Sequence, residues 1–245
     1  MDPLTAIAAS GLRARMESLD LLANNVANAS TGGYKADREF YTLYQAQEAE
    51  GDAERQAVTT MPLIEKPWVD LAQGTVHPTG NALDVALTGR GFFAVNGPSG
   101  PLYTRNGNFS LAKDGRLVTA EGFAVRGASG AALTLQPSRP VDIANDGTVR
   151  QDGNVAGQLS VVDFASASGL VKQGHNYFRL ADPTMSPAAA PGVSIEQGKL
   201  EASNTGAADA AVRLVSVLRQ FEMLQRAVSL ASDMNRRAVE EVAKV

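Results

Sequence analysis

The chain has 245 residues, of which 44% are hydrophobic and 20% are charged, and it contains no cysteine. This length can bury a sizeable core in one large or two modest domains, and the lack of cysteine excludes disulfides, thiol catalysis and cysteine-type metal sites. The formal net charge of −4 argues against nucleic acid as the main partner, because phosphate binding needs a basic stripe.

The first segment, residues 3 to about 29, is predicted to be helical. Its apolar residues recur at steps of three and four, for example at Leu12, Leu19, Leu22 and Val26. This is the spacing of a coiled-coil seam, meaning the narrow apolar stripe that faces a partner helix. No basic stretch followed by an apolar one occurs at this end, so we expect no cleaved signal peptide.

An asparagine-rich stretch ends this helix. Asn24, Asn25 and Asn28 are followed by the pair Gly32–Gly33. Asparagine side chains compete with the helix for backbone hydrogen bonds, and a glycine pair stops a helix. The sequence therefore predicts that the helical segment ends within residues 1–35.

Residues 36–69 carry few signals for regular structure. The part from Gln45 to Gln56 is acidic and poor in large apolar residues, and Pro62 and Pro67 follow it. Such a composition is typical of an extended linker, with or without short strands.

Residues 70–204 change to the pattern of short strands and tight turns. Asn106–Gly107, Asp114–Gly115, Asp146–Gly147 and Asp152–Gly153 are hairpin signals. Many short strands at turn-limited spacing predict an antiparallel barrel or sandwich. The expected core residues are Leu83, Val85, Phe92, Val95, Phe109, Leu117, Phe123, Val125, Leu159 and Val161.

Residues 205–245 carry the strictest pattern in the chain, without glycine or proline after Gly206. Steps of three and four continue to the end and predict a long helix with a coiled-coil seam, in which the polar Asn235 would fix the register. The seam of the first helix could cover this one, a second molecule could, or the helix could pack on its own domain. The seam positions are Leu214, Val217, Phe221, Leu224, Val228, Ala231, Asn235, Ala238, Val242 and Val245.

The predicted fold is mainly β with α-helical termini. A β-rich antiparallel central domain occupies 70–204, and an extended linker occupies 36–69. The terminal segments 1–35 and 205–245 together form a discontinuous helical coiled-coil domain, since each seam needs a partner helix.

Several sequence blocks resemble the bacterial flagellar rod and hook family. They appear in the family's order, touch both ends and the middle, and together cover most of the chain. The blocks are Ser10–Leu12, Leu19–Asp20, Ala23–Asn28, Gly33–Lys35, Gln73–Val76, Thr79–Leu87, Gly89–Phe93, Tyr103–Phe109, Asp114–Val118 and Gly198–Asn204.

Two further stretches bear on which family member this is. Val141–Val149 and Arg219–Met223 are most similar to the proximal rod protein, and the chain length suits that member. A distal rod or hook-family subunit is the alternative within the family.

The resemblance implies a structural subunit of the flagellar basal-body rod, which assembles into a helical tubular drive shaft that transmits torque. It implies other rod proteins, copies of itself and the flagellar type III export apparatus as partners, and a place in the periplasm-spanning rod after export without signal cleavage. We expect no nucleic-acid partner and no membrane insertion. The expected assembly interface comprises Leu12, Leu19, Leu22, Val26, Asn24, Asn25, Asn28, Leu214, Val217, Phe221, Leu224, Val228, Asn235 and Val242.

The sequence gives little support for an enzyme function. His77 and His175 are far apart and show no metal-ligand spacing. Gly89–Gly91 lacks the third glycine and the following helix of a phosphate loop, and Asp84 has no second placed carboxylate. We therefore expect no catalytic activity, cofactor or metal.

A surface β-domain adhesin or binding module, oligomerised by a C-terminal coiled coil, is the alternative from another functional class. It leaves the seam at the N-terminal end unexplained.

Overall fold

The structure is a computed structural model that describes residues 3–39, 41–45, 60–64, 67–164, 169–174, 176–182, 185–190 and 192–242. Helix α1 spans Pro3–Ala27 and helix α2 spans Ala207–Val242. The strands are β1 Asp37–Arg38, β2 Tyr41–Gln45, β3 Thr60–Ile64, β4 Trp68–Val69, β5 Val76–Pro78, β6 Val85–Thr88, β7 Phe92–Gly97, β8 Gly100–Thr104, β9 Ser110–Leu111, β10 Leu117–Val118, β11 Ala124–Val125, β12 Val141–Ile143, β13 Thr148–Gln151, β14 Asn154–Gln158, β15 Val161–Asp163, β16 Leu170–Lys172, β17 Tyr177–Leu180, β18 Ala188–Ala189, β19 Ser194–Gln197 and β20 Lys199–Glu201. The prediction of a β-rich chain with antiparallel sheets and a helix at each end is confirmed.

The chain divides into two compact units. The helical unit comprises Met1–Ala27, Asp37–Trp68 and Gly206–Val245, and the β unit comprises Asn28–Ala36 and Val69–Thr205. Residues 28–35, which the sequence pattern assigns to the helical domain, fall in the β unit together with residue 36.

The helical unit contains a hairpin in addition to the two helices. Strands β2 and β3 pair antiparallel, with Tyr41 opposite Ile64, and β3 lies beside α1. These strands occupy part of the expected linker. Its acidic stretch at 46–56 lies outside the described residues.

Helices α1 and α2 pack against each other. From Leu214 to Val228 the seam residues of α2 are partly or fully buried, whereas most residues between them are exposed. A Cβ atom built on Gly11 of α1 would lie 4.0 Å from Cδ1 of Leu224, so the helices meet at this level. The three-four spacing therefore marks the face of α2 that is buried within the chain.

The β unit is built from antiparallel sheets. The largest sheet has the path β16–β17–β8–β7–β11–β10–β9, and β15 joins it by pairing with both β7 and β18. Strands β12–β13–β14 form a second sheet, and the pairs β19–β6 and β20–β5 complete the unit. These pairs connect strands that are far apart in the sequence.

All ten predicted core residues lie in or against a hydrophobic cluster. Nine of them belong to or border the main cluster, whose centre includes Val85, Val95 and Val125 at 0% exposure. Phe92 instead belongs to a second cluster, where its ring meets those of Phe164 and Phe178 at centroid distances of 5.7 and 5.4 Å.

Three predicted hairpins are confirmed and one is wrong. Asp114–Gly115, Asp146–Gly147 and Asp152–Gly153 each join antiparallel neighbours. The last pair has φ angles of 51° and 79°, as a type I′ turn requires. Asn106–Gly107 lies instead in the loop between β8 and β9, where a Cβ on Gly107 would lie 1.8 Å from the carbonyl oxygen of Val85. Gly107 thus serves a close backbone approach.

Candidate functional site

The two segments that connect the helices to the β unit run side by side inside that unit. The backbone N–H of Gly33 donates to the carbonyl oxygen of Glu201 at 2.7 Å, and that of Asn204 donates to Tyr34 at 3.2 Å. The chain therefore enters and leaves the β unit at one place.

A buried charge cluster of Lys35, Arg105 and Glu201 lies at this place. Oε1 of Glu201 accepts hydrogen bonds from Nζ of Lys35 at 2.5 Å and from the backbone N–H of Gly74 at 2.9 Å, and Oε2 accepts from Nη1 of Arg105 at 3.2 Å. The side chains of Lys35 and Glu201 are 0% exposed and that of Arg105 is 3% exposed. Two cations thus share one carboxylate without access to water.

Backbone carbonyls take further donors of the two cations. Nζ of Lys35 also donates to Ala72 at 2.7 Å, and Nη2 of Arg105 donates to Gly89 at 2.6 Å. The guanidinium carbon lies 5.5 Å from the ring centroid of Phe92, within cation–π range. Nε of Arg105 has no hydrogen-bond partner among the described residues.

Burial sets the electrostatics of the cluster. Desolvation lowers the pKa of Lys35 and the pKa of Arg105 below their usual values, and Glu201 acts in the opposite direction on both. Buried ion pairs recover their desolvation cost only when their remaining groups are hydrogen-bonded, and their best supported role is to specify one arrangement. The cluster therefore fixes how three distant segments meet.

Two asparagines hold consecutive residues of the entering chain, one in each unit. In the helical unit, the side chain of Asn25 donates to the carbonyl of Asp37 at 2.8 Å and accepts from its N–H at 3.0 Å. In the β unit, Asn204 accepts from the N–H of Ala36 at 2.8 Å and donates to the carbonyl of Asp70 at 2.7 Å. The backbone at the junction is thus hydrogen-bonded on both sides.

Gly33 is required beside the cluster for two reasons. Its φ of +65° lies in the left-handed region, and a Cβ built on it would lie 2.5 Å from the carbonyl carbon of Arg105. Only glycine meets both conditions without strain.

The geometry is that of a structural junction. The carboxylate of Glu201 is buried, and both of its oxygens accept hydrogen bonds from the chain itself. No group of three or more potential metal ligands occurs within the part of the chain that the structure describes. In the same described part, no helix is long and apolar enough to cross a membrane.

Comparison with known proteins bears on the same segments. Family models match the chain in three places: flagella basal body rod protein at 6–35, the D1 domain of flagellar hook protein FlgE/F/G at 86–157, and the C-terminal region of flagellar basal body rod FlgEFG protein at 196–241. The flagellar basal-body rod protein FlgF of Caulobacter vibrioides is 32% identical over 93% of this chain and 92% of its own length. The chain belongs to the flagellar basal-body rod family.

Two other relatives cover the chain almost as fully. Flagellar basal-body rod protein FlgG of Agrobacterium fabrum is 32% identical over 94% of this chain and 95% of its own length, and FlgG of Bacillus subtilis is 29% identical over 92% and 93%. The function class is thereby that of a structural rod subunit of the flagellar basal body.

Each charged member of the cluster falls within a different family model of the rod proteins. Lys35 closes the N-terminal match, Arg105 lies in the D1 match, and Glu201 lies in the C-terminal match. All three residues occur in the blocks that carried the sequence resemblance, although the sequence did not predict that they meet.

Most of the predicted assembly residues of the rod subunit are at least partly buried. Leu12, Leu19, Leu22, Val26, Asn28, Leu214, Phe221, Leu224 and Val228 are partly buried, Val217 and Asn25 are buried, and Asn24 is exposed. The side chains of Asn235 and Val242 lie outside the described residues. Helices α1 and α2 pack against each other in one unit, and the side chain of Asn25 is hydrogen-bonded to the chain's own backbone.

Proposed function

We propose that this rod subunit is the proximal one and that it corresponds to the FlgF rather than the FlgG type of relative. The alignment with the Caulobacter FlgF needs 231 residues to cover 93% of the chain, whereas that with the Agrobacterium FlgG needs 260 to cover 94%. The alignment of this chain with FlgF therefore contains fewer gap positions than the alignment with FlgG. The stretches Val141–Val149 and Arg219–Met223 support the same assignment, and a distal rod or hook-family subunit is the alternative.

In this proposal the subunits assemble into a helical tube that transmits torque. The seams of α1 and α2 pair as a coiled coil within each helical unit and so hold the remaining helix faces in place for neighbours. Contacts that repeat without closing into a ring generate such a filament. The buried charge cluster supports this role, because it ties the two segments that carry Lys35 and Glu201 firmly into the β unit.

The partners follow from the family. A rod protein assembles with other rod proteins, and we extend this to copies of the chain itself and to the flagellar type III export apparatus, which the chain would pass without signal cleavage. The proposal includes no enzyme activity, no nucleic-acid partner and no membrane insertion.

The observation that carries the proposal is the match to flagellar basal-body rod proteins over more than nine-tenths of this chain and of theirs. Deletion of the gene in its source organism tests it. We expect cells without hooks or filaments, restored by the wild-type gene and left unrestored by an extra copy of the organism's own FlgG gene. Normal filaments in the deletion strain would contradict the rod function, and rescue by FlgG would contradict the assignment to the FlgF type.

Sedimentation separates the rod subunit from the adhesin alternative. An adhesin joined by a coiled coil should be a stable trimer at micromolar concentration. The rod subunit should be mainly monomeric until a growing rod offers it a template.

A further inference from the structure

Helix α2 carries a second apolar face that is exposed in the part of the chain that the structure describes. Val212 and Met234 are 71% exposed, Leu230 is 65%, Met223 is 60% and Val215 is 47%. Single exposed apolar residues are ordinary on protein surfaces, but a row of large ones along one helix marks a contact site.

This outer stripe follows a different period from the inner seam. Its positions step by three, four and four and then repeat, so that equivalent residues are 11 apart, as in Val212, Met223 and Met234. An 11-residue repeat has about 3.67 residues per turn, close to the 3.6 of a straight helix, whereas a seven-residue repeat winds around its partner. The stripe comprises Val212, Val215, Arg219, Met223, Arg226, Leu230, Met234 and Arg237.

The stripe lies on the side of α2 away from α1. Val215 and Val217 are two residues apart, which corresponds to about 200° around a helix, and Val217 is buried in the inner seam. Helix α1 of the same chain therefore cannot cover both faces, and the described residues leave the outer stripe open to a partner.

Positive charge accompanies the apolar residues of the stripe. Arg219 and Arg226 are exposed, and neither has an ionic or hydrogen-bonding partner among the described residues. A partner surface should therefore combine apolar side chains with at least one free carboxylate.

The outer face of α1 has these properties. From residue 9 onward it presents a row that steps by four and three, with small side chains that permit close approach, Met16 that is 56% exposed, and one carboxylate, Asp20. Arg13 is paired with Glu17 at 3.3 Å, whereas Asp20 has no partner in the described part of the chain. The row consists of Ala9, Arg13, Met16, Asp20, Ala23 and Ala27.

We propose that the outer stripe of α2 binds the outer face of α1 of a second copy of this chain. Asp20 of one copy would then meet the arginine row of the next, and Met16 would pack against the apolar residues of the stripe. The contact joins two different surfaces, so it repeats from copy to copy instead of closing a dimer. The inference rests on the proposed function, to which it adds the partner and the residues.

The small size of the contact explains why two isolated copies would bind each other only weakly. The outer face of α1 from Ala9 to Ala27 is about 27 Å long, and one helix pair of this length buries less than the roughly 1,200 Å² of a stable interface. Copies would therefore stay apart in dilute solution and associate when other contacts align them.

Cysteine cross-linking of the full-length chain tests the contact, since the wild type has no cysteine. Met16→Cys and Met223→Cys lie near the middle of their faces, so parallel and antiparallel packing both bring them together. The two proteins, carrying tags of different mass, are mixed at the highest soluble concentration under mild oxidation. We expect at least about five times more mixed dimer than with the exposed control Gln225→Cys in place of Met223→Cys.

Two results of this experiment would overturn the proposal. Equal yields with Met223→Cys and Gln225→Cys would show that the stripe does not select α1. A predominance of Met223→Cys homodimers would show that α2 pairs with α2.

A second cross-linking experiment reverses the charges of the two surfaces. Arg219→Glu with Arg226→Glu, added to the Met223→Cys protein, should reduce the mixed dimer to the level of the control, and Asp20→Arg in the other protein should restore it. All these positions are exposed, so unchanged thermal melts are expected to verify folding. Undiminished cross-linking, or a loss that Asp20→Arg leaves unrestored, would contradict the charge pairing.

The outcomes separate this inference from the function on which it rests. A deletion strain without hooks, together with negative cross-linking, would reject only the α1–α2 contact. Normal filaments in the deletion strain would reject the rod function whatever the cross-linking shows.

Discussion

The two units of this rod protein differ in how completely they bury their apolar side chains. In the β unit, Phe93, Val95 and Val149 are fully enclosed by the chain itself, and the buried carboxylate of Glu201 is satisfied by its neighbours. In the helical unit one face of α2 is buried, whereas Met223 and Met234 on the other face are at least 60% exposed. The β unit buries its core within a single molecule, whereas the helical unit leaves one apolar face of α2 exposed.

The largest expected effect concerns the buried cluster. Glu201→Gln removes the charge that Lys35 and Arg105 share, and breaking a buried ion pair in this way costs about 3–5 kcal/mol. Urea unfolding of the full chain, followed by near-UV circular dichroism, should show this loss. Glu196→Gln is the matched control, because Glu196 meets Lys199 at the same 2.5 Å but with side chains 30% and 43% exposed, where pairs contribute about 0–1 kcal/mol. Equal costs for the two variants would contradict the structural role of the cluster.

A backbone substitution beside the cluster should come next. Gly33→Ala combines a positive φ with a close approach to Arg105, and we expect a loss of about 2–4 kcal/mol in the unfolding free energy. Gly122→Ala shares the positive φ, at 86°, but nothing lies within 4 Å of the added Cβ, so it should cost about 1 kcal/mol. If Gly33→Ala lowered the unfolding free energy less than Gly122→Ala in the same urea titration, the close approach to Arg105 would not contribute to the cost.

The helical unit can be disrupted without harm to the β unit. Leu224→Asp places a carboxylate on the partly buried seam opposite Gly11, at a cost of about 1–3 kcal/mol, and we expect loss of helical circular dichroism with an unchanged melt of the β unit. Rod incorporation should fail and the cells should lack filaments.

Glu222→Lys, which is exposed and off the seam, is the control and should leave motility intact. Motile cells with normally expressed Leu224→Asp would argue against assembly through the helical unit. Failure of the β unit to fold would mean that α2 belongs to the core of that unit.

The smallest expected effect is a pH dependence. Since burial lowers the pKa of Lys35 below its usual 10.5, the unfolded chain holds this proton more tightly than the folded one. Stability from this group therefore rises with pH, from the lowered pKa up to the usual value. Lys35→Met removes the effect, so the advantage of the wild type over this variant should grow as the pH rises toward 10.5 in urea titrations. An advantage that shrinks over this range would show the opposite shift of the pKa.

Comparison with the variant isolates Lys35 from other titrating groups. Tyr177 is one of them, because burial and its hydrogen bond to Glu121 raise the pKa of its phenol. That group titrates in both proteins and cancels in the difference.

Local patterns predicted the elements well. The apolar spacing around Leu224 predicted the buried face of α2, and the Asp152–Gly153 pair predicted a tight hairpin. A helix face and a tight turn both depend on residues that are close in sequence. The prediction of a hairpin at Asn106–Gly107 was wrong, because the same residue types also occur where two backbone segments approach each other closely.

The junction and the outer stripe were beyond such patterns. Lys35 and Glu201 are separated by 166 positions, and no local period reveals that their side chains meet. The sequence pattern does not reveal the outer stripe, because Arg219 and Arg226 interrupt its apolar residues. Only the structure shows that Met223 and Met234 are exposed.

Hydrogen exchange of the full-length monomer tests the contrast between the units most directly. We expect the slowest exchange at core strands of the β unit, such as those with Phe93, Val125 and Val149, and exchange at least about tenfold faster along α2 beyond Val228. In the assembled rod the same part of α2 should become protected. Protection of α2 in a verified monomer as strong as that of the β core would contradict the account, because the helical unit would then be complete without neighbours.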